Sequence, residues 1–208
     1  GAITYKPFKG LSLKSSVGVE NNDYRTDNYI TSKYLWGANS GSVSSNSRVT
    51  IVNENIANYN VTLGEHELGV MGGFTYQQYT ARSMGLSGSG FISDAPGTDQ
   101  IGAASNFGTP STGYTKWTLA SWLGRVNYSY KDRYLATVSM RADGSSRYSK
   151  DSKWGYFPSV ALAWRVTEEP FMKAVPQISN LKLRMGYGET GSTAINPYAT
   201  LNMLSQGK

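Results

Sequence analysis

The chain has 208 residues, enough to bury a core as one domain, with 39% apolar residues and a formal net charge of +6. Its 15 Tyr, 5 Trp and 23 Gly favour strands and turns, and the absence of Cys excludes disulfides and thiolate metal sites. A mean hydropathy of -0.41 without a long apolar run excludes a transmembrane helix, but not a membrane barrel, whose strands give weak hydropathy signals. The 20 Lys and Arg are scattered, which argues against nucleic-acid binding.

The first part of the chain predicts antiparallel strands that are joined alternately by short turns and long connections. Residues 3–5 end one strand, a turn covers 6–10, and a second strand follows over 11–19. A long polar connection is expected over 21–46. This alternation is typical of outer-membrane barrels, whose inner turns are tight and whose outer loops are long.

The middle of the chain predicts a hairpin followed by a second long connection. A strand over 48–63 and a tight turn at 64–66 lead into a return strand that begins near Leu68. The segment 84–115 is rich in Gly, Ser, Thr and Pro, and it is too long for an ordinary connection in a compact domain. We therefore interpret it as an outer loop.

Three segments after Trp117 keep a two-residue hydrophobic alternation for about ten residues, the length that crosses a bilayer as a tilted strand. A tight turn is expected at Lys131 and Asp132, an outer loop over 144–154 and an inner connection over 167–180. One face of each strand is apolar and the other is polar or small. The apolar faces carry Trp122, Val126, Tyr128 and Tyr130, then Tyr134, Val138 and Met140, then Val160, Leu162 and Trp164.

The fold class predicted from these patterns is all-β, an antiparallel meander of about seven long strands. An odd number of strands leaves two unpaired edges, so we expect residues 1–208 to form part of a transmembrane barrel domain rather than a closed barrel. A soluble β-sandwich needs the same alternation and remains an alternative.

Two sets of side chains are candidate functional residues. Charged side chains of the polar face are candidates to line a lumen, where they either contact a solute or simply solvate the wall. The candidate lumen-facing residues are Arg125, Arg133, Arg141, Asp143, Lys182 and Arg184.

Aromatic side chains near the strand ends are candidates for a girdle at the two headgroup levels, because Trp and Tyr combine an apolar body with a polar tip. The candidate girdle residues are Tyr128, Tyr130, Tyr134, Trp154, Tyr156 and Trp164. Trp36 and Tyr114, in the expected outer loops, are weaker candidates for stacking on sugar rings.

The sequence offers little support for catalysis or metal binding. His66 is the only histidine, which removes multi-histidine metal sites and His-based triads. Glu168 and Glu169 are adjacent, so they would point to opposite faces of a strand, and they fit the start of a helical turn better than an acid/base pair. We therefore expect no enzyme activity and no cofactor.

Six short motifs follow one another in the C-terminal half of the chain. They are GRVNYSYKDRY at 124–134, RADGSSRY at 141–148, WGYFPS at 154–159, WRVTEEPF at 164–171, NLKLR at 180–184 and GYGETG at 186–191. In this order they resemble the SusC/RagA group of TonB-linked outer-membrane transporters. The resemblance is close over 117–198 and generic over 1–115.

This resemblance implies a 22-stranded barrel with an N-terminal plug in the outer membrane of a Gram-negative bacterium. Such a barrel imports glycans or peptides with energy delivered by TonB, and a SusD-like surface lipoprotein caps it. We expect this chain to be an internal segment of the wall, because it carries no plug, no TonB-contacting segment and no aromatic last strand. The partners implied are the lipoprotein, the TonB complex through a part outside this chain, outer-membrane lipid and an oligosaccharide or peptide substrate.

Two alternatives to the transporter remain open at this point. A secreted soluble β-sandwich that binds carbohydrate would be soluble without detergent. A structural or adhesive outer-membrane barrel would need neither TonB nor a lipoprotein lid.

Overall fold

The computed structural model describes residues 1–35, 38–148, 153–174 and 177–191, and these residues form strands joined by turns and short 3-10 segments. The strands are β1 (Ala2–Tyr5), β2 (Leu11–Leu35), β3 (Ala38–Leu63), β4 (His66–Ser89), β5 (Asn106–Phe107), β6 (Ser111–Tyr130), β7 (Tyr134–Ser145), β8 (Trp154–Arg165) and β9 (Lys182–Gly188). The 3-10 segments are Ile101–Ala103, Val166–Glu168 and Pro170–Ala174. None of the helical segments in the described ranges is long and apolar enough to cross a membrane.

The strands follow their chain order in a single sheet. The order is β1-β2-β3-β4-β6-β7-β8-β9, and the two-residue strand β5 pairs with β4. Pairing is antiparallel at β1–β2, β6–β7, β7–β8 and β8–β9. Seven of the strands in the described ranges have seven or more residues. The predicted all-β antiparallel meander is therefore confirmed.

The register of the last four strands brings their apolar sides together on one face. Val126 lies opposite Val138, Val138 opposite Val160, and Val160 opposite Tyr187, so one row of apolar side chains crosses four strands. The neighbouring row is polar. It runs from Arg125 through Ser139 to Ser159. Because side chains alternate along a strand, a slip of one residue would exchange the two rows, and the hydrophobic pattern holds this register.

The turn between β6 and β7 is tight because two residues in it adopt the left-handed conformation. Lys131 and Asp132 have φ values of 52° and 54°, and the Arg133 amide donates to the Tyr130 carbonyl at 3.0 Å. Two consecutive positive φ angles match the twist of the flanking strands, as in type I′ hairpins. The turn predicted at Lys131 and Asp132 is thus confirmed.

The connection expected over 21–46 differs in the structure. Strand β2 continues to Leu35 and β3 starts at Ala38, so most of this polar stretch is paired strand. Its many Asn, Asp, Ser and Thr residues are typical of a loop, which is why the composition predicted one. Strand pairing depends on hydrogen bonds between backbone groups, however, and these form without apolar side chains. In the second expected loop, 84–115, only 90–110 lies outside the long strands, because β4 ends at Ser89 and β6 starts at Ser111. This part contains the short strand β5 and one 3-10 segment. In the third expected loop, 144–154, residues 149–152 lie outside the described residues.

The chain divides into two compact units. The first comprises Gly1–Gly18, Val52–Gln77 and Thr118–Lys208, and the second comprises Val19–Ile51 and Gln78–Trp117. The assignment of residues 1–208 to one partial barrel domain stays a prediction.

Few apolar side chains are buried. Within the described ranges the buried apolar residues are Phe91 and Ala104 in the second unit and Val166 in the first. Large apolar side chains are instead exposed on the sheet, with 57% of Trp122 and 70% of Tyr187 accessible. A soluble sandwich would bury this face against a second sheet, so the exposure argues against that alternative.

Candidate functional site

Arg141 and Asp143, two of the lumen candidates, form an ion pair with each other on the polar face of β7. The Arg141 Nε lies 2.7 Å from Oδ1 of Asp143, and its Nη2 donates to the Ser121 hydroxyl on β6 at 3.3 Å. The two residues are two positions apart and therefore point to the same side of the strand. Much of the charge of this pair is neutralised within the sheet.

A second group of lumen candidates has no acidic partner among the described residues, and it comprises Arg125, Lys182 and Arg184. Arg125 lies opposite Ser139, Lys182 opposite Arg165 and Arg184 opposite Ala163. No carboxylate in the described part of the chain lies within ion-pair distance of these three side chains, and both Arg125 and Arg184 are exposed. Their charges are available to solvent or to a solute. That they line a lumen stays a prediction.

Arg133 is placed differently from the other lumen candidates. It lies in the turn between β6 and β7, where its Nη1 is 3.3 Å from Oε2 of Glu169. Its side chain is therefore engaged at the end of the strands rather than along the polar face.

The carboxylate of Glu169, in the connection that follows β8, is contacted by three side-chain donors. Only 8% of the residue is exposed. One carboxylate oxygen accepts from the Tyr134 hydroxyl at 2.6 Å and from the Trp164 indole nitrogen at 3.0 Å, while Arg133 contacts the other. The hydrogen bond from Tyr134 and, next in size, that from Trp164 stabilise the ionised carboxylate and lower the pKa of Glu169 below its usual value.

Sequence reasoning missed this role of Glu169 and treated it together with Glu168 as part of a helix start. The structure separates the two, because Glu168 is exposed and Glu169 is buried. The partner Tyr134 is 35 positions away in the sequence, so no local spacing could have identified the contact.

Four nearly parallel rings form a row across β4, β6, β7 and β8 at the end of the strands nearest the tight turns. His66 and Tyr130 have centroids 4.7 Å apart, Tyr130 and Tyr134 6.3 Å, and Tyr134 and Trp164 6.4 Å, with interplanar angles between 10° and 29°. His66 Nδ1 is also 2.7 Å from the Tyr128 hydroxyl. We call His66, Tyr130, Tyr134 and Trp164 the aromatic row.

The aromatic row contains three of the girdle candidates, and Tyr128 is hydrogen-bonded to it. His66, expected in the tight turn at 64–66, was not among the girdle candidates. His66 is the first residue of β4, directly after a tight turn, and Tyr134 is likewise the first residue of β7. Both rings therefore lie at the same end of the sheet, and His66 can stack in the aromatic row. The signal for this is the repeated position of an aromatic ring beside a turn.

The remaining girdle candidates lie at the opposite end of the same strands. Trp154 lies opposite Gly144, and Tyr156 lies opposite Ala142. Along β8, ten residues separate Trp154 from Trp164, which corresponds to about 33 Å at ~3.3 Å per residue. For a strand tilted by ~40° this is about 25 Å along the bilayer normal. The apolar band of a membrane barrel is about 25 Å tall.

In the second unit, Asp94 holds the segment after β4 against the β2–β3 hairpin. Its carboxylate accepts from the Ser32 hydroxyl at 2.6 Å, the Asn39 amide at 2.9 Å and the Tyr29 hydroxyl at 3.0 Å. These hydrogen bonds, that of Ser32 first, lower the pKa of Asp94 to about 2. Asn39 additionally exchanges two hydrogen bonds with the backbone of Phe91. We call this set the Asp94 clamp.

The candidate sugar-stacking residues have different outcomes. Trp36 lies outside the described residues. The ring of Tyr114 is more than half exposed, and the Arg82 guanidinium lies 5.7 Å from its centroid. Across the described ranges, no three His, Asp or Glu side chains are placed to hold a metal ion.

The family model described as TonB dependent receptor-like, beta-barrel matches residues 3–206. The chain belongs to this TonB-dependent receptor family. Together with the relative named SusC and the RagAB structures described next, this match confirms the resemblance of its motifs to the SusC/RagA group.

Relatives of this TonB-dependent receptor chain support the assignment. It is 32% identical to TonB-dependent receptor P26 of Formosa agariphila, covering 97% of this chain and 21% of that protein. It is 39% identical to TonB-dependent receptor SusC of Bacteroides thetaiotaomicron, covering 89% of this chain and 18% of that protein. The chain therefore spans about a fifth of the length of these relatives, which are named as receptors rather than enzymes.

A solved structure has the same fold as this receptor segment. The RagAB peptide importer in its closed-closed state superposes with a TM-score of 0.84 at 26% identity, covering 95% of this chain and 22% of that one. Its open-open state gives the same TM-score. The meander is thus a segment of a TonB-dependent receptor barrel.

Proposed function

We propose that this chain forms part of the wall of a TonB-dependent outer-membrane transporter that imports oligosaccharides or other oligomeric nutrients. The observation that carries the proposal is the register of β6 to β9, which sets one apolar row and one polar row across four strands. A sheet that separates lipid from water needs this division, because lipid offers no hydrogen bonds to polar side chains.

The apolar face meets lipid in this proposal. Its exposed Trp122, Val138 and Met185 suit the hydrocarbon layer, and the aromatic row and Trp154 suit the two headgroup levels. The girdle candidates Tyr128, Tyr130, Tyr134, Trp154, Tyr156 and Trp164 thus have a common role. The spacing of about 25 Å along the bilayer normal between Trp154 and Trp164 supports it.

The polar face meets the lumen. Arg125, Lys182 and Arg184 offer cationic groups without acidic partners in the described ranges, whereas Arg141 and Asp143 form a neutral pair. Arg133 serves the end of the wall through Glu169. The lumen would therefore carry a positive surface along this segment.

The proposed partners follow from the transporter role. A surface lipoprotein of the SusD type would cap the complete barrel, and TonB would supply energy through a part of the protein outside this chain. The similarity to a structure titled a peptide importer supports oligomeric nutrients as cargo. The outer membrane of a Gram-negative bacterium is the proposed location.

The orientation of the wall can be tested with two adjacent positions that point to opposite faces. In the full-length protein, inserted in membranes and without other reactive thiols, Ser139→Cys should react with a hydrophilic maleimide and Val138→Cys should not. Equal labelling of both thiols, or the reverse pattern, would contradict the proposed wall.

The transport role is tested separately by uptake. Cells with the full-length protein should accumulate a labelled oligosaccharide or peptide, and loss of TonB should abolish this accumulation. Uptake that continues unchanged without TonB would overturn the transport proposal while leaving the wall proposal standing.

A further inference from the structure

The second unit contains a small polar cavity beside Arg48, an arginine that has no acidic partner in the described ranges. The cavity has a volume of about 150 Å³. Among the residues that line it are Asn46, Arg48, Tyr79, Ser83 and Thr115. Ligand pockets for whole small molecules usually measure ~300–1,000 Å³, so this cavity has room for one functional group rather than a whole solute.

Arg48 has the strongest recognition chemistry in this cavity. Its Nη2 donates to the Tyr24 hydroxyl at 2.9 Å, and its guanidinium carbon lies 5.2 Å from the Tyr24 ring centroid. No carboxylate in the described part of the chain lies within ion-pair distance of it. In contrast, Arg25 of the same unit is engaged by Asp27 at 2.8 Å. The Arg48 side chain is exposed, so its remaining N–H donors face solvent.

The surroundings of Arg48 restrict its movement and add further polar groups. Tyr24 holds the guanidinium by both a hydrogen bond and its ring face, which reduces the rotamer freedom lost on binding. Ser83 and Thr115 carry hydroxyl groups, and Asn46 carries an amide. Tyr79 stacks on Trp117 with centroids 5.3 Å apart at an interplanar angle of 16°, so one side of the cavity is a fixed aromatic surface.

We propose that this cavity binds a carboxylate group of a solute, with Arg48 as the main ligand-binding residue. Arg favours carboxylates because its planar fork donates two parallel hydrogen bonds to the two oxygens. The inference rests on the proposed function for the source of the ligand, since an imported oligomer would bring the carboxylate to this site. Acidic sugars and peptides share this group.

Binding to the purified full-length protein in detergent tests the inference without requiring transport. The probes are D-glucuronate, which carries the carboxylate on a sugar, and N-acetylglycine, which carries it on a peptide-like backbone. D-glucose is the uncharged control for D-glucuronate. We expect at least one carboxylate probe to bind, and Arg48→Gln to weaken it about tenfold or more, as expected for a charged hydrogen bond. The probe that binds identifies the source of the carboxylate.

Arg25→Gln is the matched control, because it removes the same charge from the same unit where Asp27 already engages the guanidinium. It should change the affinity by less than about twofold. Arg48→Lys keeps the charge but loses the fork and should give an intermediate loss. Equal weakening by Arg25→Gln and Arg48→Gln would overturn the inference, and so would binding of glucose as tight as that of glucuronate.

The comparison of glucuronate with glucose uses the unaltered protein, so a folding defect in a variant cannot hide a negative result. If neither carboxylate probe binds, the inference is overturned. The proposed function would still stand if the cells take up a neutral oligomer in a TonB-dependent manner. Specific carboxylate binding without TonB-dependent uptake would support the site and reject the transport role.

Discussion

The hydroxyl of Tyr134 donates a 2.6 Å hydrogen bond to Oε1 of Glu169 and ties the connection after β8 to the first residue of β7. The Trp164 indole donates to the same oxygen, and Trp164 lies directly opposite Tyr134 in the sheet. Two rings of adjacent strands therefore converge on one carboxylate. This contact fixes one end of the aromatic row through a residue that belongs to no strand.

Removal of the Glu169 carboxylate should lower the unfolding temperature of the full-length protein. Glu169→Ala leaves the Tyr134, Trp164 and Arg133 donors without their acceptor, whereas Glu169→Gln keeps one acceptor oxygen and should fall between Ala and wild type. Differential scanning fluorimetry or calorimetry measures the order. The neighbouring Glu168→Ala is the control and should have little effect, because Glu168 is exposed. An equal loss for Glu168→Ala would refute the role assigned to Glu169.

The Asp94 clamp should weaken in acid. The pKa of Asp94 is about 2 in the folded chain and 3.8 as its usual value, so folding favours the ionised carboxylate. Its stabilisation is fully present above the usual pKa and disappears as the pH falls from ~4 towards ~2. Cleavage of the segment 91–104 by pepsin should therefore rise over this range.

Asp94→Asn supplies the matched comparison for the clamp. It should make the segment susceptible to pepsin already at about pH 4 and remove most of the further rise at lower pH. Asp99→Asn, at an exposed position in the same segment, should behave as wild type. If Asp94→Asn kept the full acid-dependent rise, another group would control the opening.

Gly10 should tolerate no side chain. Its φ of 94° is in the region that favours glycine, and a Cβ there would lie 2.4 Å from the backbone oxygen of Asn60. Gly10→Ala should lower the free energy of unfolding by about 2 kcal/mol or more, because both the conformation and the contact are unfavourable. Gly18→Ala, where nothing lies within 4 Å, should cost less than about 0.5 kcal/mol. Denaturant unfolding measures both values, and similar losses would show that the Gly10 contact relaxes freely.

The depth of three tryptophans in the bilayer should follow their position along β8. Trp154 and Trp164 should be quenched most strongly by probes at headgroup depth. A Val160→Trp substitution should respond to probes near the bilayer centre, because it lies about 13 Å from Trp164 along the strand. Each variant should carry a single Trp, with the others replaced by Phe. Strong headgroup-level quenching at position 160 would contradict the membrane face.

The sequence predicted the features that depend on neighbours along one strand. The alternation around Val126, Val138 and Val160 predicted three strands and their apolar faces, and the register confirms that these faces coincide. The turn at Lys131 and Asp132 was predictable because these two residues interrupt the hydrophobic alternation between two strand segments. Composition misled the prediction over 21–46, where polar residues form paired strand up to Leu35.

The contacts of His66, Asp94 and Glu169 were not readable from the sequence. Each joins groups that lie far apart in the chain, as with Tyr134 and Glu169 or Ser32 and Asp94. The lumen candidates show the same limit, since the sequence placed Arg133 with Arg125 on one face while the structure engages it with Glu169.

The sequence by itself determined the class of this protein, its strand alternation and its tight turns, because these depend on side-chain periodicity and backbone conformation over a few residues. Only the tertiary structure decided which rings stack into the aromatic row, which carboxylates accept hydrogen bonds from distant side chains, and which arginines of the described ranges have no acidic partner. Those outcomes depend on register and on the path of the connections. Both are set by cooperative pairing of distant strands, which no local pattern records.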